Sequence, residues 1–249
     1  MTAVMVLLGF LFLKTGEKFA TQETAGPVVT EFMTTLAQPL SVKFAPWVGN
    51  DPARAVEYVT AKKPSFGIVT PGFYLAYAKA LEMKPWMEVR RTGVGAERYV
   101  AVMRKDAGEG VEALRGKVVA TTLAAEERFV RGVVLEDKLA EMRLKSVTDP
   151  EVAAFDVVEN GEAVLLEEAT WTALAKDEEL GPKLKVVFRS AELPGPLFVC
   201  FGQEKLVEEK VKAVLKGLDA AVTGKIRVEK FVDVNEERLK QAEARFHGK

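Results

Sequence analysis

The residue types that usually perform covalent catalysis are scarce in this sequence of 249 residues, which contains one cysteine and one histidine. Cys200 lies in the apolar run LFVCF at 197–201 and is expected to be a buried strand residue. The histidine, His247, lies close to the end of the chain. Nucleophilic catalysis by cysteine or serine needs a neighbouring base, so neither that chemistry nor a Cys/His zinc site is supported.

Two pairs of adjacent glutamates, at 126–127 and 167–168, are the remaining candidates for acid–base chemistry. Adjacent side chains point in different directions on a helix or a strand, so neither pair forms a catalytic dyad by itself. The sequence also has no GxGxxG dinucleotide motif and no GxxxxGK[ST] phosphate loop. We therefore predict a protein that is not an enzyme and that has no catalytic residue, cofactor or metal site.

Composition and charge favour a globular protein that does not bind nucleic acid. The 35 Lys and Arg residues are balanced by 36 Asp and Glu residues, which gives a net charge of -1. The two signs are dispersed along the chain, without the basic footprint of a nucleic-acid-binding surface. Hydrophobic residues make up 48% of the chain, enough for one or two α/β domains of this length.

The first third of the chain alternates apolar runs with helical patterns. The run VMVLLGFLFL (4–13) lacks a preceding Lys or Arg and is too short to cross a bilayer, so it predicts a buried first strand. Two further strands are predicted at 40–48 and 65–70, and helices at 24–37, 52–62 and 73–83. This βαβαβα order predicts a parallel sheet with right-handed crossovers.

A second unit is predicted to begin near residue 92. Its predicted strands lie at 99–106, 118–122, 163–168 and 183–190, and its longest helix at 124–140. A turn-rich link at 192–202 leads to an amphipathic helix at 204–222, followed by a short strand and a last helix.

Polar residues at two predicted strand ends could contact a ligand. Thr70, Gly72, Phe73 and Tyr74 lie where the third strand passes into a helix, and a helix cap with two core aromatics is the alternative. Thr121 and Thr122 end a strand of the second unit and are followed by Leu123, with a helix cap again as the alternative.

In this order of elements the chain resembles the substrate-binding proteins of phosphate, phosphite and phosphonate ABC transporters. The resemblance runs from residue 4 to about 222, through SVKFAPWVGNDPARAVEYV, SFGIVTPGFYLAYAKAL, RGKVVATT and GEAVLLEEATWTAL. It implies an α/β, two-lobed periplasmic-binding-protein type II fold, with a mainly parallel sheet flanked by helices in each lobe. Residues 1–92 and 198–249 would form lobe 1 and 93–197 lobe 2, with hinge crossings near 91–95 and 193–196.

The resemblance also implies a ligand cleft between the lobes, at strand carboxyl ends and helix N-termini, where unpaired N–H groups suit polar ligands. Where phosphonate-binding relatives carry a Ser-Thr-Ser-Gly-like run, this chain has TTLAAEERF (121–129), with fewer donors and more negative charge. A standard phosphonate is therefore not the expected ligand. Glu167 matches an aspartate that pairs with a ligand amine in relatives, and Glu168 is its alternative. The further implied contacts are Thr15, Trp47, Asn50 and Trp171.

The expected function is that of a periplasmic solute-binding protein that delivers a small molecule to an ABC permease or another envelope acceptor. The ligand is expected to be an oxyanion, an amine or a hydrophobic molecule. Aromatic residues near the projected strand ends raise the alternative of a lipid-like or sterol-like cargo. A ligand-sensing module of a signalling system is the other alternative. We expect a monomer whose export signal has been removed, with Met1 as an added initiator.

Overall fold

The computed structural model describes residues 6–138, 141–202 and 206–248. The chain divides into two compact units. Unit 1 contains the chain up to Thr15, then Phe19–Gly93 and Pro194–Glu236. Unit 2 contains Gly16–Lys18, Val94–Leu193 and the chain from Glu237 onward.

Strands and helices alternate along much of the chain. The strands are β1 (Val6–Leu13), β2 (Val42–Gly49), β3 (Phe66–Val69), β4 (Met83–Arg91), β5 (Tyr99–Arg104), β6 (Val118–Thr121), β7 (Arg143–Ser146), β8 (Ala163–Glu167), β9 (Leu184–Arg189), β10 (Leu197–Phe201) and β11 (Val228–Val232). The helices are α1 (Gly26–Leu40), α2 (Pro52–Lys62), α3 (Pro71–Tyr77), α4 (Pro150–Asn160), α5 (Glu168–Leu174), α6 (Glu208–Lys216), α7 (Ala220–Thr223) and α8 (Glu236–Phe246).

The sheet of unit 1 has the strand order β11–β4–β10–β3–β1–β2. As predicted, β1 pairs in parallel with both β2 and β3. The later strand β10 enters between β3 and β4 and is antiparallel to both. The strand at one edge, β2, contains Pro46, which cannot donate a ladder hydrogen bond and is best tolerated at an edge.

Aromatic side chains from several strands fill the core of unit 1. Phe198 of β10 is fully buried, and its ring centroid lies 6.0 Å from that of Phe10, 5.7 Å from that of Phe66 and 6.2 Å from that of Phe231. The helix α1 covers this cluster with the apolar face that its sequence spacing predicts, since Phe32 and Leu36 are both fully buried.

Local signals explain where α2 begins and ends. The Asp51 carboxylate accepts hydrogen bonds from the N–H groups of Ala53 (2.8 Å) and Arg54 (3.3 Å), so Asp51 is the N-cap. Pro52 occupies the first turn, where its missing N–H costs nothing. The helix ends at Lys63, whose φ of 47° is left-handed.

The predicted helix at 73–83 is wrong beyond Tyr77, where α3 ends, and the chain then forms the unpredicted strand β4. The strand contributes Trp86 and Met87 to the core of unit 1. Its Pro85 obscures the strand pattern in the sequence, and the structure places it beside a register shift in the pairing with β10. A bulge is one of the few places where a strand accepts proline.

The sheet of unit 2 has the order β7–β6–β8–β5–β9. Its β6 is parallel to β7 and β8, whereas β5 is antiparallel to β8 and β9. The helix predicted at 124–140 is instead a short 3₁₀ turn followed by a π-helical turn at Phe129–Val134. It ends before Glu136 and Asp137, which both have positive φ, and residues 139–140 lie outside the described residues.

The helix predicted at 204–222 is divided into α6 and α7, which Gly217 separates, and residues 203–205 lie outside the described residues. The last helix, α8, belongs to unit 2 from Glu237 onward, whereas the sequence assigned it to lobe 1. Its Phe246 is buried, and the Arg128 guanidinium lies 4.6 Å from the centre of that ring. Contacts so far apart in the sequence leave no local pattern.

The buried carboxylate of Glu88 accepts hydrogen bonds from two chain segments of unit 1. Glu88 of β4 is only 1% exposed, and its Oε1 accepts a hydrogen bond from the Gly195 N–H at 3.3 Å. Its Oε2 accepts one from the Asn235 N–H at 3.5 Å, and an Arg90 nitrogen lies 3.6 Å from Oε1. Gly195 and Asn235 lie where the chain enters and leaves unit 1, so Glu88 fixes both ends of that segment.

Replacing the central ring of the unit 1 core should strongly destabilise this unit. Phe198→Ala removes a fully buried phenyl group, and we expect a loss of about 3–5 kcal/mol in the free energy of unfolding. Urea denaturation followed by circular dichroism measures it. Phe19→Ala is the matched control, because Phe19 is 63% exposed and should change the midpoint little. Equal midpoints for both variants would contradict this account of the core.

Removing the Glu88 carboxylate should loosen the chain at Gly195 and Asn235. In Glu88→Ala the buried Gly195 N–H loses its acceptor, which costs about 1–3 kcal/mol. Hydrogen exchange should accelerate at these two amides. The exposed Glu229→Ala is the control for loss of a carboxylate from the same sheet. Unchanged exchange at both amides in Glu88→Ala would show that Glu88 does not hold them.

Candidate functional site

Parallel pairing brings the carboxyl ends of β1, β2 and β3 together, and the edge of the unit 1 sheet formed by these strand ends is polar. Leu13 at the end of β1 lies opposite Gly49 at the end of β2, and Phe12 lies opposite Ile68 near the end of β3. Just beyond the strands, the Lys14 N–H donates to the Gly49 carbonyl at 3.1 Å. The residues that follow these strands, among them Thr15, Asn50 and Thr70, therefore meet at this edge, as the predicted parallel sheet requires.

Two threonine hydroxyls lie next to each other at this edge. The Oγ1 atoms of Thr15 and Thr70 are 3.3 Å apart, although the residues are 55 positions apart in the sequence. Thr70 is also the N-cap of α3, since its Oγ1 accepts a hydrogen bond from the Phe73 N–H at 3.3 Å. A hydroxyl can accept and donate at the same time, so capping leaves the Thr70 proton able to reach a neighbouring acceptor.

The aromatic residues beside Thr70 belong to the core of unit 1. Phe73 is fully buried, and its ring centroid lies 5.0 Å from that of Tyr77. Tyr74 is 6% exposed, and Gly72 is buried as well. The structure thus shows the helix cap and core aromatics of the alternative interpretation. A direct contact of these residues with a ligand stays a prediction.

Trp47 at the end of β2 is held by its own unit. Its ring stacks on Tyr58 of α2 at a centroid distance of 5.3 Å and an angle of 16°. The same ring covers the backbone of Gly49, where an added Cβ would come within 2.3 Å of it. Burial raises the pKa of the Tyr58 hydroxyl. Trp47 is half-buried, and so is Asn50 at the beginning of the next turn.

In unit 2, a tight turn follows β6. Thr121 is 1% exposed, and its Oγ1 accepts a hydrogen bond from the Leu123 N–H at 3.2 Å. Leu123 is itself buried, and the Thr122 side chain is half-exposed. Gly16, with a φ of +70°, packs so closely on Thr122 that an added Cβ would lie 1.9 Å from its carbonyl oxygen. Only glycine suits this position, because it combines positive φ with close backbone approach.

The two adjacent glutamates after β8 have different surroundings. Arg189 Nε donates to the Glu168 carboxylate at 2.6 Å, and an Arg98 nitrogen lies 3.8 Å from the same carboxylate. Glu168 is therefore engaged by two arginines at the beginning of α5. Glu167 lies at the end of β8 and is half-buried, and its contact with a ligand stays a prediction.

Tyr99 is a candidate that the sequence did not single out. It begins β5 and lies directly opposite Glu167 in the ladder, because β5 and β8 are antiparallel. Its ring contacts that of Phe129 at a centroid distance of 6.5 Å. Sequence spacing predicts strands, but not that one of them runs against its neighbours and so brings its first residue to this edge.

Trp171 of α5 packs against the core of unit 2 and is half-buried. Within the described ranges, no group of three or more His, Cys, Asp or Glu side chains could hold a metal ion. Among those residues there is also no helix that is long and apolar enough to cross a membrane. The chemistry that the described residues bring to the two strand-end regions is thus that of threonine hydroxyls and glutamate carboxylates.

Residues 20–239 match the model of a family described as the periplasmic phosphonate substrate-binding protein of ABC transporters. The chain belongs to this family. Its members are periplasmic, bind small molecules and work with ABC permease components. No curated protein sequence is similar enough to the chain to count as a match.

Solved structures with the same fold cover almost the whole chain. A Xanthomonas citri protein bound to ATP has a TM-score of 0.76 at 14% identity, over 97% of each chain. PhnD1 from Prochlorococcus marinus, in complex with methylphosphonate, has a TM-score of 0.67 at 13% identity, over 97% of each chain. A binding component of a Pseudomonas aeruginosa phosphonate transporter has a TM-score of 0.68 at 12% identity, over 98% of this chain and 87% of that one. The predicted two-lobed type II periplasmic binding fold is confirmed.

The Thr70 hydroxyl should stabilise unit 1, because it is the N-cap of α3. Thr70→Val keeps the side-chain shape but removes the cap, so we expect unit 1 to lose about 1 kcal/mol of unfolding free energy. Thr70→Ser should keep the cap. Thr34→Val is the matched control, since the exposed Thr34 hydroxyl bonds only within α1. The midpoints of denaturant unfolding measure the change in stability. An equal loss of stability in Thr70→Val and Thr70→Ser would exclude the capping role.

Proposed function

We propose that this chain captures a small polar ligand and delivers it to an ABC permease of the cell envelope, without catalysing a reaction. The observation that carries the proposal is the Thr15–Thr70 hydroxyl pair at the parallel strand ends, in a chain that belongs to a substrate-binding family. We further propose that the chain acts as a monomer in the periplasm.

Unit 1 is proposed to offer hydroxyls to the ligand. Thr15 and Thr70 lie 3.3 Å apart, and each hydroxyl can both donate and accept a hydrogen bond. Neutral hydroxyl donors suit an oxygen-bearing group that carries little charge. Asn50 is proposed to add an amide at the same edge.

Unit 2 is proposed to select against a strongly anionic ligand. The turn after β6 carries Glu126, which is only 8% exposed, within five residues of Thr121. A carboxylate in a poorly solvated turn repels a nearby dianion, because Coulomb interactions are weakly screened there. Glu167, at the end of β8, is instead proposed to favour a ligand with an amine, because it matches the aspartate that pairs with a ligand amine in the relatives that the sequence resembles. An amine-bearing oxyanion of low net charge is therefore the proposed ligand class.

The burial of the aromatic residues argues against a hydrophobic ligand. Phe73 has no exposed surface, and Tyr74 and Leu123 are also buried. Trp47 is stacked on Tyr58. These candidate contacts would have been walls of an apolar site, and their burial and stacking instead contribute to packing.

Ligand binding is expected to raise the melting temperature of the full chain. A ligand at a hundred times its dissociation constant stabilises the folded state by about 2.7 kcal/mol. The probes are methylphosphonate, 2-aminoethylphosphonate, phosphite and inorganic phosphate, measured by thermal shift and calorimetry. We expect a larger shift for 2-aminoethylphosphonate than for methylphosphonate, because only the former has an amine for Glu167.

Glu167→Gln should remove this preference for the amine while the fold persists, and Glu178→Gln, an exposed acid of unit 2, should leave it unchanged. A preference for methylphosphonate over the amine in the unchanged chain would refute the proposed ligand class. Absence of heat and of any shift with all four probes would count against the capture of small oxyanions altogether.

A further inference from the structure

A groove of about 530 Å³ in unit 2 shares no residue with the strand-end regions described above. Its walls come from two segments that are distant in the sequence, 127–137 and 245–248. Four nitrogen-bearing side chains line it: Arg128, Arg131, Arg245 and His247. Its volume lies within the range of small-molecule sites in proteins.

The Arg128 guanidinium is fixed by its Nε atom and by an aromatic ring, and its two terminal Nη atoms make no hydrogen bond with the described residues. Its Nε donates to the Phe246 carbonyl at 2.8 Å, and its guanidinium lies 4.6 Å from the centre of the Phe246 ring. Among the described residues, neither Nη atom of Arg128 has a hydrogen-bond partner. A guanidinium fixed through Nε and a ring face presents its two Nη atoms as a preformed fork, which matches two oxygens of one anion.

The other charged groups of the groove are mostly paired. Arg131 Nε donates to Glu127 at 2.7 Å, so this acid is already neutralised. Glu136 is shared by Arg245 at 3.2 Å and Lys138 at 2.8 Å. Asp137 also lines the groove, and its carboxylate would repel an anion that came close to it. Three arginines thus line the groove together with two carboxylates, those of Glu127 and Asp137, which leaves a positive balance beside Arg128.

The backbone of the groove is built from irregular turns. Leu135 N–H donates to the Val130 carbonyl, and Asp137 N–H donates to the Arg131 carbonyl, both at 2.9 Å. These wide turns belong to the π-helical segment at Phe129–Val134. Gly132 lets α8 approach closely, because an added Cβ would lie 3.1 Å from the Arg245 carbonyl oxygen. Such π-helical turns are frequent at functional sites.

We propose that this groove is a second binding site, for a phosphate or carboxylate group of a small anion, with Arg128 as the principal contact. The Arg128 fork holds two anion oxygens. Arg245 and His247 lie beside it and can donate further hydrogen bonds. The site is independent of the proposed ligand capture at the strand ends, because it uses none of those residues.

The single histidine of the chain makes the proposal directly testable. The imidazole resonance of His247 in the ¹⁵N-labelled full chain reports on this groove alone. Titration with inorganic phosphate at constant ionic strength and pH should shift the His247 signal with saturation. Arg128→Gln should weaken the apparent affinity at least tenfold, because it removes the charged fork.

Two further variants control the experiment. Arg115→Gln removes an exposed arginine of unit 2 that pairs with Glu112 at 2.8 Å and Glu141 at 3.0 Å, and it should keep the wild-type affinity. Arg128→Lys keeps a cation over Phe246 but loses the fork, so an affinity several-fold below wild type is expected. It tests the proposal even if Arg128→Gln disturbs the docking of α8, which the amide spectrum will show.

A saturable shift that is lost in Arg128→Gln, weakened in Arg128→Lys and kept in Arg115→Gln would support the site. A shift that grows linearly with phosphate, or that is equal in all variants, would overturn it. The proposed strand-end function is judged separately through Glu167→Gln, which should leave the His247 titration unchanged.

Discussion

Parallel pairing of β1 with β2 and β3 is the constraint on which the polar edge of unit 1 depends. Strands that run in the same direction end at the same edge, so the residues after them meet although they are far apart in the sequence. The hydroxyls of Thr15 and Thr70 come within 3.3 Å in this way. The buried rings around Phe198 keep the strands in register and thereby keep this edge in place.

Unit 2 uses the same principle but adds an antiparallel strand. The ends of β6 and β8 carry Thr121 and Glu167, and β5 brings its first residue, Tyr99, opposite Glu167. Two arginines, Arg98 and Arg189, engage the adjacent Glu168. A carboxylate engaged by two guanidinium groups gains little from a further cation.

Carboxylates also fix the chain where it passes from one unit to the other. Glu88 holds the amides of Gly195 and Asn235 inside unit 1. Inside unit 2, Glu192 lies 2.7 Å from an Arg238 nitrogen and 3.8 Å from an Arg98 nitrogen. These residues lie next to the points at which the chain changes unit. Hydrogen bonds and ion pairs of this kind hold each of these segments inside its own unit.

The sequence by itself determined the local features. Apolar spacing predicted α1, α2 and most strands, and the ordered set of elements indicated the family. Such features depend on neighbours a few residues away, which a single chain displays directly.

Only the tertiary structure decided which residues face one another. It buried Phe73, engaged Glu168 with two arginines, brought Tyr99 to the strand ends and placed α8 in unit 2. It also revealed β4, whose proline is accepted beside a register shift with β10. Strand direction and side-chain pairing are set by contacts between segments that are distant in the sequence, and hydrophobic periodicity carries no record of these partners.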